Sequence, residues 1–192
     1  MPKIYNVSDW YWLASDGRMF SSSQQALVQP NDAAFKAWSE DGSEPTPWPV
    51  SDGQQTEAAL QWVFDNAGAP VYVTLSAYAA DARYRVEISG VTAQIGGADA
   101  PVSTKREDRD GLRDTLSAIA QGWRKDGGMF KFADGIPRAA TNDEMKAAIG
   151  AAFAHVQAAY DAEGAVQADL ASKKPKIKTR DAVDAALAVT AA

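Results

Sequence analysis

The sequence predicts an α+β fold, mainly helical with short β-hairpins: a small N-terminal hairpin module followed by a helical C-terminal domain. Three observations predict it. In the second half, apolar residues recur at helical spacing, at Leu112, Leu116, Ile119 and Trp123 and again at Met145, Ile149, Phe153, Val156 and Tyr160. Turn pairs at Asp16-Gly17, Gly96-Gly97 and Asp134-Gly135 separate short apolar runs, the mark of two-stranded hairpins. Five of the six tryptophans (Trp10, Trp12, Trp38, Trp48 and Trp62) lie in a turn-rich opening region, which therefore differs in texture from the rest.

The elements follow in order. "YWLASDGRMFSSS" at residues 11–23 has the form of a hairpin around Asp16-Gly17. A short helix follows Asn31-Asp32 as its cap and carries Phe35 and Trp38. "PTPWP" at residues 45–49 is excluded from helix and from central strand, because three prolines fix φ and remove donors; it reads as an extended segment pinned by Trp48. A second helix is expected after Ser51, with Gln54 as its capping-box partner, carrying Leu60, Trp62, Val63 and Phe64 and stopping at Gly68.

After Pro70, "VYVTL" reads as a short extended piece and "SAYAADARYRVEIS" as a helix with Tyr78, Ala82 and Val86 on one face. "VTAQIGGADAPVST" is a hairpin turning at Gly96-Gly97. Thr104 and Glu107 form a capping box into a helix whose stripe runs from Leu112 to Trp123 and which closes at Gly127-Gly128. "MFKFADGIPRAAT" is a second hairpin. Thr141 and Glu144 form another capping box, opening a helix to about Ala171, roughly 45 Å long at 1.5 Å per residue. The basic linker "SKKPKIKTR" leads to a short helix capped by Thr179, whose apolar face of Val183 and Leu187 is too small to be stable alone. The expected domains are thus 1–68, 69–172 and 173–192.

At 192 residues, 46% hydrophobic and 23% charged, the chain is long enough for one or two domains with real cores. A net charge of -6 argues against a nucleic-acid partner. The absence of cysteine rules out disulfides and thiolate metal sites. No apolar signal segment stands at residues 1–9 and no run approaches the roughly 20 residues of a membrane helix, so synthesis in the cytoplasm and no membrane partner are expected.

Chemistry is sparse. The single histidine, His155, lies between Phe153 and Val156 on the long helix and reads as a structural group at the rim of a packed face. "REDRD" at residues 106–110 places Glu107, Asp108 and Asp110 where a helix dipole favours them, with local arginine pairs. Serine-hydrolase, P-loop and dinucleotide-binding signatures are missing. No catalytic residue, metal or cofactor is expected. In "DWYWLAS", strict alternation puts Trp10 and Trp12 on one face and Tyr11 and Leu13 on the other. Both faces are apolar, so both need cover, either from a small local core or from a partner. The partner reading makes Trp10, Tyr11, Trp12, Phe20 and Trp48 interface anchors, together with Val183 and Leu187 of the last helix.

"AADARYRVEISG", "VTAQIGG", "STKREDRDGL", "FKFADG" and "AHVQAAYDAEG", together covering about Tyr78–Ser172, resemble a recurrent C-terminal domain of unknown function found in phage tail fibre and tail fibre assembly proteins. The opening "YW…DGRMFSS" hairpin and the "A-W…G…P-T-P-W-P" segment are similar to the starts of proteins from such tail and baseplate gene clusters. The resemblance implies a non-enzymatic bacteriophage tail structural protein, made in the host cytoplasm and carried in the virion tail. It would link baseplate or tail tip to fibres, with other tail or fibre proteins as partners and a homo-oligomer or symmetric assembly as its state. The alternative is a fibre-assembly chaperone not retained in the virion. A small hydrolase of envelope sugars is a third reading; it needs a cleft lined by carboxylates, for which Glu87, Glu107 and Glu163 are the candidates.

Overall fold

The structure, a computed structural model, describes residues 4–188. The fold is α+β, with a small mixed sheet and hairpins and a helical C-terminal part. The chain divides into two compact units, one up to Tyr78 and one from Ala79 onward, so the division falls ten residues later than the sequence predicts and the last helix belongs to the second unit.

In the first unit, strands β1 (Tyr11–Leu13), β2 (Met19–Ser21), β3 (Ala26–Val28) and β4 (Thr46–Pro47) form one sheet in the order β3-β2-β1-β4. The β1–β2 connection turns on Gly17 at φ 90°, while the Arg18 amide donates to Asp16 Oδ1 at 3.0 Å. The proline-rich segment becomes the parallel edge strand β4, where a missing N–H costs no ladder bond. Helix α1 (Ala33–Ser39) starts at Asp32, whose carboxylate accepts from the Phe35 amide. Helix α2 (Glu57–Asn66) starts at Thr56, not at Ser51; Ser51 and Gln54 instead close a small bridged turn through Asp52 and Gly53, both at positive φ.

Alternation along β1 sends neighbouring rings to opposite faces. Tyr11 meets Phe35 and Trp38 of α1, whereas Trp12 meets Phe64 of α2, as does Phe20 on the neighbouring strand. Each face of the sheet therefore meets a helix of its own unit, while Leu13 and Leu27 on its strands stay exposed. Trp48 lies under this cover, its indole N–H donating to the Trp12 carbonyl at 3.0 Å and its ring beneath the Arg18 guanidinium. The "VYVTL" segment forms no strand. Side-chain amides hold it: Gln25 accepts from Tyr72 N, and Gln61 bonds both Val71 O and Val73 N.

Helix α3 (Leu75–Glu87) contains the division between the units. It buries Ala79, Ala82 and Glu87, a face rotated from the Tyr78–Ala82–Val86 stripe. The hairpin of β5 (Val91–Ile95) and β6 (Ala98–Val102) turns at Gly96-Gly97, both at positive φ. Helix α4 (Arg106–Ala120) has no side-chain cap: Thr104 is fully buried, its hydroxyl accepting from Gly90 N at 2.9 Å. It ends at Ala120, about two turns before the predicted Gly127-Gly128, because Gly122 at φ 71° turns the chain and Trp123 N returns to Ala118 O.

The second hairpin, β7 (Met129–Lys131) with β8 (Pro137–Ala139), turns through Asp134-Gly135. Helix α5 (Asn142–Leu170) opens with the predicted capping box, in which Thr141 accepts from Glu144 N while Glu144 accepts from Thr141 N. Its core-facing side is Met145, Ala148, Ile149 and Ala152, packed with Leu112 and Ile119 of α4 and Ile95, Ala100 and Val102 of the hairpin. Helix α6 (Arg180–Ala188) lies on α5.

Candidate functional site

The residues expected to meet a partner are enclosed by their own chain. Trp10 is 8% exposed and Tyr11, Trp12, Phe20 and Trp48 are each 4% or less; Val183 and Leu187 on α6 are 1% or less. This corrects the expectation for all seven. The rings form the core of a unit poor in aliphatic residues, and the paired faces of α1 and α2 supply the cover that seemed to need another molecule. The α6 residues are buried because the linker folds back: Lys176 N and Ile177 N both donate to Asp169 Oδ2 of α5, at 2.9 and 2.8 Å.

The charged residues of α3 and α4 form a cluster that the sequence does not display as a unit. Glu87 is fully buried, and its carboxylate accepts from Arg83, from Arg109 at 2.8 Å and from Arg106 at 3.4 Å. Arg83 also donates to Glu163 of α5 at 2.9 Å and stacks on Tyr160. Burial acts to raise the Glu87 pKa. The Arg106 hydrogen bond and charge, with the charges of Arg83 and Arg109, outweigh it and leave the pKa below the ordinary carboxylate value. Three guanidiniums occupy a carboxylate that has no exposed surface, so Glu87 offers no atom to a substrate. The arginines of "REDRD" thus reach across to Glu87 of α3, where the sequence predicts pairs along their own helix.

His155 is 9% exposed and lines an open cleft of about 950 Å³ with Ser89, Thr92, Lys105, Asp108 and Ala151. Its Nε2 lies 2.7 Å from the Val86 carbonyl, a contact that requires Nε2 to carry the proton and donate. The Ser89 hydroxyl donates to the same carbonyl at 2.9 Å and lies 3.3 Å from Nε2. In this arrangement Nε2 has no lone pair for the serine proton, so the two residues do not form a nucleophile and its base. They tie α5 to the end of α3. A second cleft of about 530 Å³ contains Glu107, Asp108 and Lys131 between α4 and the β7–β8 turn. Among the described residues no group of three or more metal-ligating side chains gathers. No helix there is long and apolar enough to cross a membrane.

Exposed large apolar side chains occur in both units: Ile4, Val50 and Trp62 in the first, and in the second a group between α4 and α5. Trp123 is 79% exposed and Met129 66%. Ile136, at the turn of the second hairpin, is exposed as well, and the outer face of that hairpin shows Met129, Lys131, Pro137 and Ala139. The backbone that carries them is fixed. Arg124 donates to Gly128 O at 2.7 Å, Ala140 O at 3.0 Å and Asn142 Oδ1 at 2.6 Å, and Asn142 N donates to Asp126 Oδ1 at 2.6 Å. An indole on a loop held this way meets a partner with little ordering cost. The sequence puts Trp123 at the end of the apolar stripe of a helix. The signal that could have found it is Gly122, which ends the helix before the stripe reaches the indole.

Residues 71–190 match the family model described as Domain of unknown function (DUF4376). No curated protein and no solved structure matches the chain.

Proposed function

The chain belongs to the DUF4376 family, and from that premise we propose that it is a non-enzymatic structural protein of a bacteriophage tail. It links baseplate or tail tip to tail fibres, is made in the host cytoplasm and is carried on the virion. The motif resemblance over about Tyr78–Ser172 supports the tail assignment. The observation that carries the docking role is the rigid display of Trp123 and Met129 on the family domain, on a loop whose backbone Arg124 fixes by three bonds. Exposed aromatic and Met side chains on a preorganised backbone are the composition of an interface centre. The docking surface is thus assigned to residues 123–139 of the second unit instead of the opening hairpin.

The test is a mass-spectrometric inventory of purified virions made with the wild-type chain and with Trp123→Ser/Met129→Ser. The wild-type chain is expected in the particle. The double variant is expected to fold with an unchanged circular-dichroism melt and to be lost from the particle. Incorporation of the variant at the wild-type level overturns the assignment of the surface. The same exposed side chains also suit a fibre-assembly chaperone, which shields a fibre's apolar end and then leaves. That reading expects the wild-type chain to bind fibre protein in lysates yet be missing from finished virions.

A further inference from the structure

The first hairpin of the second unit has two edges treated differently. A two-residue turn at Gly96-Gly97 makes Ile95 and Ala98 a hydrogen-bonded pair, and so also Ala93 with Ala100 and Val91 with Val102. The alternate residues therefore point their backbone groups outward: Asp99 and Pro101 on β6, Thr92 and Gln94 on β5. The β6 edge is closed. Pro101 has no N–H, its carbonyl accepts from Ala133 N at 3.0 Å, and Asp99 adds a charge. The β5 edge has none of these devices. Among the described residues, the outward N–H and C=O of Thr92 and Gln94 have no partner, and both residues are exposed.

We propose that the β5 edge is the contact by which a second copy of this chain joins, antiparallel and centred on Ala93, to make a four-stranded sheet across a two-fold axis. The occupant is indicated by the strand itself. "VTAQI" reads the same in character from either end: β-branched, polar, Ala, polar, β-branched. Pairing about Ala93 sets Thr92 against Gln94 of the copy and Val91 against Ile95 of the copy. All four open backbone groups of each chain are then satisfied by those of the other. Charge points the same way. Residues 88–98 carry no charged side chain in a chain of net charge -6, and the Glu144 carboxylate that accepts from Gly96 N stands at the strand's end, away from its centre at Ala93. The inference makes specific the homo-oligomer that the tail-protein resemblance implies, and needs no virion to test.

The experiment is sedimentation of the full chain over a concentration series, with the fold followed by circular dichroism. The wild type is expected to dimerise reversibly. Thr92→Lys/Gln94→Lys opposes like charges at both pairs across the axis and keeps the backbone ladder, exchanging the Gln94 side-chain hydrogen bond to Asp99 for an ion pair; it is expected to weaken association by about tenfold or more. Mixing it with Thr92→Glu, which leaves the Gln94–Asp99 pair intact, is expected to restore a dimer. Amide exchange at Thr92 and Gln94 should slow in concentrated wild type only. A wild type that stays monomeric throughout overturns the proposal and leaves the edge to a strand from another protein. A dimer that survives the double lysine variant overturns it too.

Discussion

Glu87 and two tryptophans define what single residues do here. Glu87 is fully buried among three arginines, so Glu87→Gln removes the negative charge that they share. A loss of about 3 kcal/mol is expected, read as a lower urea midpoint at pH 7. Because the folded pKa of Glu87 lies below its ordinary value of 4.5, its contribution is complete only above that ordinary value and disappears as the pH falls through the folded one. The midpoints of wild type and variant should therefore converge as the pH is lowered below about 5. Trp48 and Trp38 are buried alike, at 1% and 3%, but only Trp48 has its N–H satisfied; Trp38 Nε1 has no partner among the described residues. Trp48→Phe should cost about 1 to 2 kcal/mol more than Trp38→Phe in chemical denaturation, since only the first loses a made bond. None of this was visible in the sequence. A buried charge cluster joins residues on three helices, and an orphaned indole N–H depends on what happens to pack over it.

At the scale of elements, the readable signals were those closed within a few residues. Thr141 and Glu144 share one helical turn, and the capping box forms as the sequence predicts. Thr141→Ala should destabilise the second unit by about 1 kcal/mol in thermal or chemical melts, and Thr141→Ser should restore most of it. The same pattern at Thr104 and Glu107 forms no cap, because Gly90 N, from the chain entering the hairpin, takes the threonine hydroxyl. Gly90 itself sits at φ 83°, where an added Cβ would stand 3.0 Å from Val102 O. A local motif is legible until a distant donor competes for the same atom. The glycine turns at Asp16-Gly17, Gly96-Gly97 and Asp134-Gly135 all form, since positive φ is a property of the residue itself. The α4 stripe was half readable: Leu112 and Ile119 are buried, whereas Leu116 and Trp123 face solvent.

At the scale of the molecule, two separate hydrophobic cores stand behind the two units, one built around Trp48, Phe20 and Phe64 and the other around Ile149, Met145 and Leu112. Calorimetry of the full chain should resolve two transitions. Phe64→Ala should lower one of them and Ile149→Ala the other, each by about 3 kcal/mol of unit stability; a single transition shifted by both would show one cooperative unit instead. The sequence by itself determined the fold class, the hairpin turns, the early aromatic region and the long capped helix, because each rests on local backbone preference or on the period of apolar residues. It also determined that the Trp-Tyr-Trp strand needs cover on both faces. Only the tertiary structure decided what supplies that cover. Whether a ring is core or contact depends on helices from elsewhere in the chain, and here α1 and α2 arrive on opposite sides of one small sheet, while Gly122 leaves a different indole in water.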